Sequence, residues 1–165
     1  MADQELAHLH EEYALDPLVR GYIGEKYEVY TAYLLHGWKE DLGYSAEELE
    51  FEIQELQHLI VDAPKVNTAR TLYRGVKTDF LAGRDQMLFN NFTSTSSLLS
   101  VARSFAGTTG VVLELHVPAN YPMLYTGSSL NSEEEEYILP CGVKTHVTDT
   151  QSIDNITTYI LQITN

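Results

Sequence analysis

Residues 45–76 read SAEELEFEIQELQHLIVDAPKVNTARTLYRGV, and the change of period inside this stretch decides the fold. Ser45-Ala46-Glu47-Glu48 is a capping box, in which serine and the glutamate three positions on satisfy backbone donors at a helix start. Leu49, Ile53, Leu56 and Ile60 follow at helical spacing until Asp62-Ala63-Pro64 ends the run. The polar face of this helix is nearly all glutamate. Beyond Pro64 the spacing becomes alternating, and Thr71-Leu72-Tyr73-Arg74-Gly75-Val76 reads as a strand.

Toward the amino terminus the chain stays helical. Asp16-Pro17 pairs an N-cap acid with proline at the first helical position, and Val19, Ile23, Tyr30 and Leu34 continue one apolar face to Gly37. A shorter helix is expected near residues 3–14. Six of the eleven tyrosines, Tyr13 through Tyr44, fall in this region and read as amphipathic packing, although helices lying over a cleft could lend one or two to a ligand. Toward the carboxyl terminus, residues 91–96, 111–117, 123–125, 135–139, 143–147 and 156–163 read as strands between Gly, Asn, Ser or Pro clusters. One helix, residues 98–105, interrupts them. The expected fold is α+β, with N-terminal helices packed on a mostly antiparallel two-sheet β core. Residues 1–66 form an acidic helical subdomain and residues 67–165 a β-rich core, joined in one compact unit.

The charge follows this division. The 165 residues carry 10 Lys and Arg against 24 Asp and Glu, a net of −14. Residues 1–66 hold 15 acids and 4 bases, residues 67–165 hold 9 and 6. No basic stripe is present to displace counterions from phosphate, so stable nucleic-acid binding is not expected. The lone Cys141 excludes an internal disulfide framework and cysteine-pair zinc sites. His8, His10 and Glu11 do not share a helix face, and no metal site is expected. The first residues lack a basic and an apolar signal region, and no apolar run reaches membrane-spanning length. A cytoplasmic location, in the producing or an infected cell, is the expectation.

Three constellations carry chemistry. Arg74 shares its strand face with Leu72 and Val76, so its guanidinium stands on an apolar side and needs an anion. An internal carboxylate or a bound phosphate would each serve. Gly75 would let a ligand or another strand approach the backbone closely. Phe92-Thr93-Ser94-Thr95-Ser96 bears hydroxyls on both strand faces, which suits a strand facing a cleft or an edge strand running into a helix cap. Asn131-Ser132-Glu133-Glu134-Glu135-Glu136 leads into the apolar run Tyr137-Ile138-Leu139-Pro140. Such a run is a solvated tip, or it sets Glu134 and Glu136 on one face as an acid–base pair.

The order of these motifs, an Arg at a strand's centre, then Phe-x-Ser-Thr-Ser with Ala102 and Phe105, then Glu-x-Glu before an apolar strand, resembles the mono-ADP-ribosyltransferases of the Arg-Ser-Glu class. That class includes bacterial toxins and bacteriophage enzymes that modify host proteins. The resemblance covers residues 70–140 in detail and says little of residues 1–66. It implies the ADP-ribosyltransferase fold, NAD as substrate, no metal, and a protein acceptor, with arginine as the modified residue. It assigns Arg74 to the nicotinamide-side phosphate and ribose, Ser94 to steadying the catalytic glutamate, and Thr95 and Ser96, beside Gly75, to the shape of the pocket. Phe105 would lie beside the nicotinamide, on the loop covering it. Glu136 would be the catalytic glutamate and Glu134 the residue that prepares the acceptor guanidinium. Four consecutive glutamates leave a second register open, with Glu133 and Glu135 in those roles, and Tyr137 stands where many members have an aliphatic residue. Two other functions fit the sequence: an acidic module that binds or inhibits a basic partner, and an NAD hydrolase without a macromolecular acceptor.

Overall fold

A computed structural model describes residues 4–126 and 135–165. Helices α1 (Gln4–Leu9), α2 (Glu11–Ala14), α3 (Pro17–Gly21), α4 (Tyr27–His36) and α5 (Ala46–Asp62) precede the strands. Strands β1 (Arg70–Val76), β2 (Gln86–Phe89) and β3 (Thr93–Ser96) lead into helix α6 (Leu99–Ala106). Then come β4 (Val111–Val117), β5 (Leu124–Tyr125), β6 (Glu136–Leu139), β7 (Val143–Ile153) and β8 (Ile156–Ile163).

The capping box at the head of α5 forms: Ser45 Oγ accepts from the Glu48 amide at 3.1 Å. A cap of this kind stabilises a helix by about 1 kcal/mol. Leu49, Ile53, Leu56 and Ile60 turn inward and pack in one cluster with Val19, Tyr22, Tyr30, Phe92, Leu124 and Ile138. The helices therefore share a core with β5 and β6. Gln57 reinforces the seam, its side chain accepting from the Cys141 amide at 2.8 Å and donating to the Cys141 carbonyl at 3.3 Å.

The strands run in the order β2-β7-β8-β4-β1-β3-β6-β5, antiparallel except for the parallel β4–β8 pair. β1 pairs with β4 over seven positions but meets β3 only at Tyr73↔Ser96. The ladder is thus two well-paired groups joined at one point, which is the form the two-sheet expectation takes. Beside that thin joint the strand edges part and a cleft opens. Asp154 and Asn155, at φ 52° and 65°, turn β7 into β8, as a two-residue hairpin requires.

Three local readings change. Residues 17–36 are not one helix, because the backbone leaves helical geometry at Gly24, φ −80°, ψ −105°, and the kinked turn Tyr22–Lys26 separates α3 from α4. Strand β2, absent from the sequence reading, forms on the outer edge of the sheet against β7. β7 runs on to Ile153, paired with β8 through a bulge between Val147 and Asp149. Among the described residues no helix is long and apolar enough to cross a membrane.

Candidate active site

A cleft of about 950 Å³ opens between the β1–β3–β6 strands, helix α6 and the kinked turn at Tyr22–Lys26. Its volume is that of a site for a large organic ligand. Arg74, Gly75, Ser94, Thr95, Ser96, Phe105 and Glu136 all line it. Residues up to 62 positions apart in sequence thus converge because β1, β3 and β6 are consecutive in the sheet. The cross-strand pairs Ser94↔Ile138 and Ser96↔Glu136 set the serines and the glutamate on one face.

Arg74 is half-buried. Its Nη1 donates to the Ser94 carbonyl at 2.8 Å and its Nη2 to the Tyr27 hydroxyl at 3.0 Å. Among the described residues no carboxylate closes on it as an ion pair. A guanidinium oriented by two neutral acceptors keeps its full charge for an anion entering the cleft. Lys77 adds a second cation to the lining, while Glu25 and Glu28 stand on the opposite wall.

The neighbourhood of Arg74 depends on the kink at Gly24. In an unbroken α-helix residues 22 and 27 would project about 140° apart. The kink brings them to one side, with ring centroids 5.5 Å apart and edge to face. Tyr22, buried and also edge-on to Phe92, shares a 2.9 Å hydrogen bond with Ser94 Oγ, and Tyr27 meets Arg74. Burial raises the pKa of the Tyr22 phenol well above the ordinary tyrosine range, with the Ser94 hydrogen bond opposing the shift. The phenol therefore stays protonated and available as a donor.

Glu136 opens β6, and its Oε1 accepts from Thr126 Oγ1 at 2.7 Å. Glu135 takes a different course. It is buried, its backbone lies in the left-handed region at φ 44°, and its carboxylate accepts from Ser97 Oγ at 2.7 Å. Of these two adjacent glutamates, only Glu136 faces the cleft. Glu133 and Glu134 lie outside the described residues.

Helix α6 approaches Gly75 closely: a Cβ there would sit 1.8 Å from the Ala102 carbonyl oxygen. One expectation is corrected in detail. Phe105 stands not on a loop but in the last turn of α6, half-exposed at the cleft. The sequence reading did not single out Tyr22 and Tyr27 among the six N-terminal tyrosines, and it missed Lys77 and Thr126. For the tyrosines the one available signal was Gly24, a glycine inside an otherwise helical run. Among the described residues no group of three His, Cys, Asp or Glu side chains is placed to hold a metal.

No protein-family model matches this chain, and no curated protein sequence matches it. Solved structures do. BECa, the ADP-ribosylating toxin of a binary enterotoxin of C. perfringens, solved with NADH, superposes with a TM-score of 0.77 at 16% identity. The match covers 98% of this chain and 47% of BECa, so the chain spans about half the length of that toxin. C3stau2 from S. aureus, solved with NAD, matches with a TM-score of 0.75 at 14% identity, covering 100% of this chain and 97% of its own. Vis, an ADP-ribosyltransferase from Vibrio splendidus, matches with a TM-score of 0.72 at 19% identity, covering 100% and 87%. The chain has the fold of the ADP-ribosyltransferase toxins.

Proposed function

We propose that this protein is an NAD-dependent mono-ADP-ribosyltransferase that modifies arginine on a protein acceptor and releases nicotinamide. The observation that carries the reading is the convergence of Arg74, Ser94 and Glu136 on one cleft within the toxin fold. Two structures of that fold, BECa and C3stau2, were solved with NADH and NAD. Vis was solved with agmatine, itself a guanidinium compound, and that supports arginine as the acceptor.

The chemistry follows from charge. Breaking the bond between nicotinamide and ribose C1′ sends the electron pair to nicotinamide and leaves an oxocarbenium-like ribosyl cation. Arg74 holds the diphosphate so that the ribose cannot drift. Glu136, accepting from the ribose 2′-hydroxyl, sets negative charge beside the developing cation. The acceptor nitrogen then supplies the pair for the new C1′–N bond and gives up a proton, and Glu134 is the proposed base. Without an acceptor, water takes the cation, so slow NAD hydrolysis accompanies transfer.

The test is incubation with NAD labelled in its adenylate half, with agmatine or a protein lysate as acceptor. Label on the acceptor and stoichiometric nicotinamide are expected. Glu136→Gln is expected to lower both transfer and hydrolysis by about 100-fold or more. Glu134→Gln is expected to spare hydrolysis and abolish transfer. Nicotinamide release with no labelled acceptor would make the protein an NAD hydrolase. Absence of both, with no NAD binding by calorimetry, would sink the reading.

A further inference from the structure

We propose that Thr126 is the positioning residue for Glu136, holding the carboxylate in its working orientation before substrate arrives. The inference rests on the functional reading above, which makes Glu136 catalytic. The resemblance in sequence assigns this steadying role to Ser94, but among the described residues the Ser94 hydroxyl is turned to Tyr22 at 2.9 Å. The hydroxyl within 2.7 Å of Glu136 Oε1 belongs to Thr126, a residue 1% exposed at the end of β5.

The backbone makes the contact a consequence of register. Leu124↔Ile138 and Tyr125↔Tyr137 are paired, and the next rung is closed by the Thr126 amide donating to the Glu136 carbonyl at 2.9 Å. Side chains at positions 126 and 136 are therefore neighbours at the end of the ladder. Threonine is suited to the task because branching at Cβ leaves few χ1 rotamers, and a nearly dry hydroxyl gains most from a charged acceptor. Tyr125 and Tyr137, both buried with ring centroids 4.7 Å apart, anchor the rung beneath. A carboxylate offers about four acceptor positions, so the bond to Thr126 is compatible with a second bond to a substrate hydroxyl. The glutamate's several rotatable bonds are thus restricted from outside its own strand, as preorganised sites require.

The experiment measures NAD hydrolysis by the full chain for Thr126→Val, Thr126→Ser and Glu136→Gln. Thr126→Val keeps the shape and removes the donor, and is expected to lower kcat about 10-fold while KM for NAD stays within about twofold. Thr126→Ser restores the donor and is expected to recover most of that loss. If Glu136→Gln is inactive but Thr126→Val turns over like the native protein, the inference falls and the functional reading stands. If Glu136→Gln hydrolyses NAD normally, the functional reading itself falls. Should the valine variant not fold, Thr126→Ala against Thr126→Ser makes the same comparison. Equal turnover in the alanine and serine variants would overturn the assignment.

Discussion

On the strand wall of the cleft Arg74, Ser94 and Glu136 arrive from three adjacent strands, whereas on the helical wall Tyr22 and Tyr27 arrive from one segment that has left α-helical geometry. The strand wall carries the charges and the helical wall fixes them, since Tyr27 meets the Arg74 guanidinium and Tyr22 the Ser94 hydroxyl. Period-2 geometry places the strand side chains with little choice. The helical wall depends on a single local change of winding. One wall is therefore robust to insertions elsewhere, and the other is sensitive to one residue.

That contrast can be broken from either side. The largest effect is expected from Arg74→Ala, which removes a charged donor from the strand wall and should weaken NAD binding about 10- to 100-fold by calorimetry. Gly24→Ala is expected to come next. It keeps the spacing but favours a regular helix across residues 22–26, which would set Tyr22 and Tyr27 about 140° apart and turn Tyr27 away from Arg74, lowering NAD affinity about 10-fold, with the strands' hydrogen-exchange protection unchanged. Native-like affinity in the variant would show that the helical wall does not position the arginine. Tyr27→Phe, which removes one neutral acceptor and nothing else, should cost only about three- to tenfold.

The smallest effect is spectroscopic. Tyr159 donates to Asp79 at 2.8 Å, and burial, assisted by that carboxylate, pushes its phenol up to about 12. A folded pKa above the unfolded value of about 10 means that its contribution to stability is complete below pH 10 and is lost as pH rises toward 12. Tyr22 is displaced further in the same direction by burial. Ultraviolet titration should therefore show the Tyr159 signal, identified by Tyr159→Phe, ahead of that of Tyr22. The reverse order would mean that the helical wall is more open to water than its packing implies.

Much of the fold was legible in the sequence. The bounds of β4 and β8 and the face of α5 follow from alternation and from a capping box with four apolar residues at helical spacing. β2 was not legible because Gln86-Met87-Leu88-Phe89 has no β-branched residue and only Phe89 is buried, so its pairing comes from β7 rather than from its own pattern. The turn between α3 and α4 was hidden because Val19, Ile23, Tyr30 and Leu34 still satisfy a helical period across it. At the site, Arg74, Ser94 and Glu136 could be found from strand spacing, but Thr126 could not. Its place beside Glu136 is a property of the β5–β6 register, and no spacing within residues 124–126 records it.

Gly75 and Ala102 have a mechanical meaning beyond packing. Strand β1 and helix α6 approach so closely that no methyl group fits between them, and a dense contact of this kind does not slide. Arg74 and Phe105 therefore ride on one rigid body, and a ligand that alters the gap between them must do so by turning side chains. Closure at this corner of the cleft is then a rotamer event, on the picosecond-to-nanosecond scale of exposed side chains, and not the slower travel of a helix.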